Sequence, residues 1–402
     1  MRKLILLLTV ILLLSACGAT KVIKLFHIIK SGQVETNAFK YEIPFEHKNG
    51  LFILKAKVNN AMEDSFILDS GAPVCLISDS IIKTSHLRKI LDYNVSDVNN
   101  KTKKTGWYIA DSISIGKLKF TKIGVAHVDF SNSPAMCFIQ GGLLGMNVLD
   151  KCIWSIDFQN KKIILASCLD SIPYVKKGIR IPVYRDKTGY IYIDCKFNGI
   201  TTKKLLFDLG WVDGFISVPM KDFTELEDSG KVIKSYGNGT GGAFSISQDT
   251  VYLKRTKTLS IEKINFANTA VTSGKESNFS LGNKILQYYY LTLNLKDNEI
   301  FLTPIPGKEM TSELQTFGLA FDYKEGLLTI GTLFQNGPAE KAGLMLNDTV
   351  LTVNERKLVF NDYCDFQDKN NELLKNIDSL TLKVMRNRAE KTFSFKKENI
   401  HY

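Results

Sequence analysis

Residues that commonly hold metals are scarce in this chain. Among its 402 residues are five histidines, His27, His47, His86, His127 and His401, with no H-x-x-x-H pair between them. The seven cysteines include no two at C-x-x-C spacing, which argues against a zinc site or a thioredoxin-like redox centre. No metal and no cofactor are therefore expected. A literal G-x-G-x-x-G does occur at Gly237, Gly239 and Gly242, but no helical pattern comes after it, so it lacks the strand-to-helix context of a dinucleotide site. A flexible hairpin tip accounts for it better. No nucleic-acid motif accompanies the net charge of +11, and no nucleic-acid partner is expected. The lysines are dispersed and read as a solvated surface, with weak attraction to anionic lipid headgroups. No apolar run reaches the roughly 20 residues that span a bilayer.

At the start of the chain, Arg2-Lys3 precede a short apolar run from Leu4 to Leu14, and Leu14-Ser15-Ala16-Cys17-Gly18 completes the segment. That is the pattern of a secretory signal. Its ending resembles a bacterial lipobox, which implies that residues 1–17 are a lipoprotein signal and that Cys17 is lipidated. The expected place is then the bacterial cell envelope, with the lipid anchor in the membrane and the protein facing the periplasm. About 385 residues remain, enough for two or three domains. A hydrophobic content of 44%, with 10% aromatic residues, supports a sizeable core rather than disorder. Apart from Cys17, the cysteines are Cys75, Cys137, Cys152, Cys168, Cys195 and Cys364. Six allow 15 pairings, which the sequence leaves open. Cys75 and Cys195 lie in strand-like apolar surroundings and read as buried thiols.

The pattern that organises the chain is doubled. Phe66-Ile67-Leu68-Asp69-Ser70-Gly71-Ala72 runs an apolar strand into an acid, a hydroxyl and a glycine, and Leu205-Leu206-Phe207-Asp208-Leu209-Gly210 repeats it with one change. A lone Asp-Ser-Gly is most often a turn, but each copy here has a matching partner segment. Gly145, in Gly142-Leu143-Leu144-Gly145, comes 76 residues after Asp69, and Gly282, in Phe279-Ser280-Leu281-Gly282, comes 74 after Asp208. Strand-turn-strand stretches come next, Trp154 to Leu165 and Leu291 to Leu302, in register at an offset of 137. A long internal repeat marks a duplicated structural unit.

This arrangement resembles the aspartic proteases, specifically the retropepsin-like proteins that bacteria make as two fused lobes. The resemblance covers residues 40 to 304 and includes the approach to the first loop, Ile43-Pro44-Phe45 and Gly50-Leu51-Phe52-Ile53-Leu54. It implies a mainly β fold, a pair of β-barrel lobes over residues 40–170 and 180–304. Asp69 and Asp208 would be catalytic, and Ser70, Gly71, Leu209, Gly210, Gly145 and Gly282 would support the loops. Two carboxylates held close together cannot both ionise, so they share a proton. One then takes a proton from water while the other polarises the carbonyl of a peptide or protein substrate. The family's flap is expected near Thr102 to Tyr108. Leu209 departs from the family, where a hydroxyl after each acid bonds to the opposite loop. It keeps open the alternative of an inactive, peptide-binding envelope lipoprotein.

Prolines and glycine at Thr303-Pro304-Ile305-Pro306-Gly307 mark a boundary. Beyond it, Phe317-Gly318-Leu319-Ala320-Phe321 and Gly337-Pro338-Ala339-Glu340-Lys341-Ala342-Gly343-Leu344 precede the strand Thr349 to Val353. Pro338 suits a first helical position and Gly343 a helix end, and a longer helix is expected within Asn361 to Asn376. This order resembles a bacterial PDZ domain, which implies a small α+β unit over residues 312–398. Gly318, Leu319, Ala320 and Phe321 would then hold the carboxylate of a C-terminal peptide added as an extra strand. A third reading, a scaffold in which only this module binds, also stays open.

Overall fold

The computed structural model describes residues 20, 23–133, 135–197, 200–212, 214–226, 231–243, 245–257, 259–266, 269–310 and 314–400. The signal reading at residues 1–17, with Cys17, lies outside the described residues. The chain is mainly β. Its alternating strands show why: in Leu51–Val58, Phe52, Leu54, Ala56 and Val58 are buried while Lys55 and Lys57 are exposed. In Ile191–Phe197, Ile191, Ile193, Cys195 and Phe197 are buried. A period of two puts one set of side chains on a single face of the sheet.

Two lobes order seven strands in the same way. In the first the order is Leu51–Val58, Asp64–Leu68, Gly142–Leu144, Cys75–Ile77, Leu118–His127, Thr102–Ile115 and Arg88–Ser96. Thr102–Ile115 also pairs back onto Leu51–Val58, which closes the sheet into a barrel. In the second lobe the order is Ile191–Phe197, Ile200–Asp208, Ser280–Gly282, Ile216–Ser217, Ala270–Ser273, Ile246–Arg255 and Ile233–Gly241.

A six-stranded sheet joins the lobes, with the two C-terminal hairpins at its centre. Ile153–Asp157 pairs with Tyr289–Asn294, placing Trp154 opposite Leu293, Ser155 opposite Thr292 and Ile156 opposite Leu291. Ser155 and Thr292 are 137 residues apart, the offset of the repeat, and their hydroxyls bond at 2.9 Å. Equivalent residues therefore meet on the pseudo-twofold axis. The outer strands are Lys40–Pro44 and Ile179–Pro182, each ending in proline. An edge strand tolerates a residue that cannot donate to a ladder. Pro182 thus closes a strand of this sheet.

Residues 314–400 form a module with its own buried cluster, including Phe317, Ile330, Leu333, Phe366, Leu380 and Leu382. The short helix Pro338–Lys341 has proline at its start, and Gly343 lies just past its end with φ +98°. The longer helix is Tyr363–Leu373, capped by the Asp362 carboxylate on the Asp365 N–H at 2.9 Å. The module extends the second lobe's sheet: Leu327–Phe334 pairs with Ile233–Gly241, so one 15-stranded sheet runs through both.

Candidate active site

Each Asp loop is the end of a strand trapped between two others. Gly142–Leu144 runs parallel to Asp64–Leu68 and antiparallel to Cys75–Ile77, and the Asp69 N–H donates to the Leu144 carbonyl at 3.0 Å. Ser280–Gly282 likewise lies between Ile200–Asp208 and Ile216–Ser217. The supporting glycines are there because the chains pass too closely for a side chain. A Cβ on Gly145 would sit 2.6 Å from the Val74 carbonyl, and one on Gly282 would sit 2.5 Å from the Trp211 ring. Cys75, buried, also serves this support: its sulfur accepts the Gly145 N–H at 3.3 Å, and burial pushes its thiol up to about 12.

Asp69 and Asp208 come together. The Gly71 N–H donates to Asp69 Oδ1 at 2.7 Å, and the Gly210 N–H to Asp208 Oδ1 at 2.8 Å. Each glycine also packs on the opposite acid. A Cβ on Gly71 would lie 2.5 Å from Asp208 Oδ1, and one on Gly210 would lie 2.6 Å from Asp69 Oδ1. Each carboxyl group thus lies against the opposite loop, close enough to shift the other's titration. Burial first, and then the charge of Asp208, pushes the Asp69 carboxyl up to about 8. Burial raises that of Asp208 as well, against the pull of the Gly210 and Trp211 N–H groups. Two interacting acids titrate as one unit, so the protons belong to the pair and leave it in two steps.

The bridge between the loops runs one way. The buried Ser70 hydroxyl donates to the Phe207 carbonyl at 2.7 Å and accepts the Leu209 N–H at 2.9 Å. Leu209 has no hydroxyl to return it; its side chain is fully buried in the core cluster shared by the lobes. Two asparagines supply support that sequence reasoning did not assign. Asn283 donates to the carbonyls of Leu209 and Gly50, at 2.9 and 2.8 Å, tying the second loop to the first lobe. Asn147 accepts the Cys75 N–H at 2.9 Å and donates to the Gly124 carbonyl at 2.7 Å. An Asn just after each Gly145 and Gly282 segment was the available signal. Tyr190 also carries no signal in the sequence; burial, then the charges of Asp69 and Asp208, raise its phenol.

Residues 54–151 match the family model of the gag-polyprotein putative aspartyl protease. That span holds the first Asp loop and its supporting Gly145, so this part of the chain is aspartic-protease-like. No curated protein matches the chain. Among solved structures, the crystal structure of Basic 7S globulin from soybean is similar at 8% identity, covering 66% of this chain and 95% of that one. Its TM-score of 0.40 is too low to carry an argument.

From each lobe a hairpin reaches the other. Arg88–Ser96 and Thr102–Ile115 form the first, with its turn at residues 97–101, where Asp97 Oδ1 accepts the N–H groups of Asn99 and Lys101. Thr102 to Tyr108, near which the flap is expected, lie on the returning strand of this hairpin. Ile233–Gly241 and Ile246–Arg255 form the second. The run Tyr236 to Gly241, read from sequence as a flexible tip, is strand, and the turn begins only beyond Gly241. The tips touch: Asn99 Nδ2 donates to the Ser245 carbonyl at 3.3 Å, and Ser245 Oγ to Asp97 Oδ2 at 3.2 Å.

In the C-terminal module Gly318 turns with φ +74°, and Leu319, Ala320 and Phe321 open the strand Leu319–Lys324. Among the described residues that strand pairs only with Leu327–Phe334, and the helix Tyr363–Leu373 packs beside it. Of the cysteines, Cys137 and Cys364 form a disulfide from the first lobe to this helix. Cys195 is buried, as expected, and outside any disulfide.

Proposed function

We propose that the chain is an aspartic-type endopeptidase, lipid-anchored in the bacterial cell envelope, with a PDZ-like module that binds protein or peptide C-termini. The observation that carries the catalytic reading is the reciprocal packing of Gly71 on Asp208 and of Gly210 on Asp69, which brings the two acids close enough to share a proton. A water between them loses a proton to the ionised carboxylate as it attacks the peptide carbonyl. The protonated carboxyl donates to the carbonyl oxygen, and the resulting tetrahedral species collapses with proton transfer to the leaving amine. The touching hairpins would close over the substrate and exclude bulk water.

Leu209 favours a second reading, a fold that binds peptides without cleaving them. Its missing hydroxyl leaves one hydroxyl bridge between the loops instead of two, and a displacement of about 1 Å at a reacting group costs around a hundredfold in rate. Catalysis is therefore expected to be slow or narrowly specific. The test is incubation of the mature protein with a peptide mixture from acidic to neutral pH, with fragments read by mass spectrometry. New fragments ending at defined bonds support the peptidase. Peptides retained by the protein but intact at every pH support the binding protein.

The PDZ-like reading rests on the open edge of Leu319–Lys324 beside a helix, where an added peptide strand would find unpaired backbone groups. Localisation rests on the Leu14-Ser15-Ala16-Cys17 pattern.

A further inference from the structure

The C-terminal module is fastened to the protease-like lobes at two separate places. At the first, its strand Leu327–Phe334 pairs with the second hairpin, with Ser235 opposite Phe334, Tyr236 opposite Leu333 and Gly237 opposite Thr332. The Gln335 N–H donates to the Lys234 carbonyl at 2.7 Å, and the Tyr236 ring packs on the module's core. The approach needs Gly237: its φ is +117°, and a Cβ there would lie 2.1 Å from the Gly331 carbonyl. At the second place, the helix Tyr363–Leu373 is bound to the first lobe through Cys364–Cys137 and through Asn49 Nδ2, 3.2 Å from Gln367 Oε1.

These fastenings converge on one hairpin. The loop that carries Cys137 also carries Ser133, whose hydroxyl donates to the Gly242 carbonyl at the second hairpin's tip, at 3.1 Å. The first hairpin is built differently: its stem joins the barrel through Trp107 to Ile115, which pair with Leu118–His127, but from Gly106 outward Thr102–Ile115 pairs, among the described residues, only with Arg88–Ser96. A two-stranded ribbon is marginally stable by itself, whereas Ile233–Gly241 is paired on both edges. The outer part of the first cover is thus a ribbon of two strands, while the second cover is part of a wider sheet.

We propose that residues 314–400 are a redox-sensitive clasp on the cleft. They hold the second hairpin against the first lobe, leaving the first hairpin as the moving cover, and cleavage of the Cys137–Cys364 bond loosens the hold. Both cysteines are partly exposed. The reductant is a dithiol: one thiolate attacks a sulfur to give a mixed disulfide, and the second thiol resolves it. Two electrons pass, Cys137 and Cys364 leave as thiols and the dithiol leaves oxidised. For its effect on hydrolysis, though not on the hairpin, the inference rests on the peptidase reading.

The test is hydrogen exchange, read by mass spectrometry on the full mature chain. It compares the oxidised protein, the protein treated with dithiothreitol, Cys364→Ser, and Gly237→Val, which should break the pairing with the disulfide intact. Exchange tracks local opening, so amides in residues 233–241 should exchange about tenfold faster in all three perturbed forms. The core strand Leu51–Val58 should stay unchanged, which shows that the first lobe is folded. With a cleaved peptide, KM should rise several-fold while kcat changes less. Unaltered exchange over 233–241 in the dithiothreitol-treated protein and in Cys364→Ser would overturn the clasp, whatever Gly237→Val does. If no form cleaves any peptide, the peptidase reading fails, and the exchange data still decide for or against the clasp.

Discussion

Ser70→Ala removes the hydroxyl that bridges the two Asp loops. Its hydroxyl satisfies the Phe207 carbonyl and the Leu209 N–H, both at hydrogen-bond distance, and Ser70 is fully buried. Alanine leaves a buried donor and a buried acceptor without partners, at about 1–3 kcal/mol each. Some relaxation is available, so a loss of about 2–5 kcal/mol is expected. For a lobe of this size that is a fall in Tm of roughly 5–15 °C, read by differential scanning calorimetry. Hydrolysis should fall further than stability alone accounts for, by about a hundredfold at a temperature where the variant is folded, because Asp208 is no longer positioned. Leu209→Thr is the companion. It gives up buried apolar surface and lowers stability by about 1–3 kcal/mol, yet supplies the missing hydroxyl and should not lower kcat. A Ser70→Ala protein that melts within about 1 °C of wild type and cleaves as fast would refute the reasoning that this bridge positions the acids.

Three further outcomes are expected. The dyad carboxyls are raised in the folded state, Asp69 to about 8, so the native protein keeps a proton that the unfolded chain has released. Stability from this source is complete below the unfolded value of 3.8 and is lost as pH rises through about 8, at about 1.4 kcal/mol per pH unit for one proton; Asp69→Asn should flatten the dependence of Tm on pH in that window. Cys17→Ser should move the protein from the membrane fraction to the soluble envelope fraction, and a variant still in membranes would count against lipidation. Peptides with free C-termini should bind the full chain about tenfold or more tightly than their amidated forms, because a carboxylate gains charge-assisted bonds from backbone N–H groups; equal binding leaves residues 314–400 without a carboxylate site.

The doubled loops were legible because close contact constrains them on every side. Gly71, Gly210, Gly145 and Gly282 have no room for a Cβ, and such positions leave a fixed letter in the sequence. The offset of 137 in the later hairpins reappears as the contact between Ser155 and Thr292. Asn347, just before Asp348, takes the left-handed region that asparagine tolerates, with φ +65°. The Cys137–Cys364 pair spans 227 residues, and nothing local to either cysteine distinguishes it from the other pairings. Gly237 read as part of a mobile tip, because its need for glycine comes from the Gly331 carbonyl of another module. The flap region near Thr102 to Tyr108 falls on a strand of the first hairpin, whose turn the Asp97 carboxylate fixes by bonding the N–H groups of Asn99 and Lys101. Leu209 showed what was missing from the bridge, while the core that it fills became visible only in three dimensions.

The central claim is that Asp69 and Asp208 act as a pair within one chain. The most direct measurement compares cleavage of one susceptible peptide by wild type, Asp69→Asn and Asp208→Asn at equal concentration, with thermal melts to show that each variant is folded. Both asparagine variants should lose cleavage to background. Cleavage retained by Asp208→Asn would contradict the shared-proton pair and direct attention to a dimer joining two copies of Asp69.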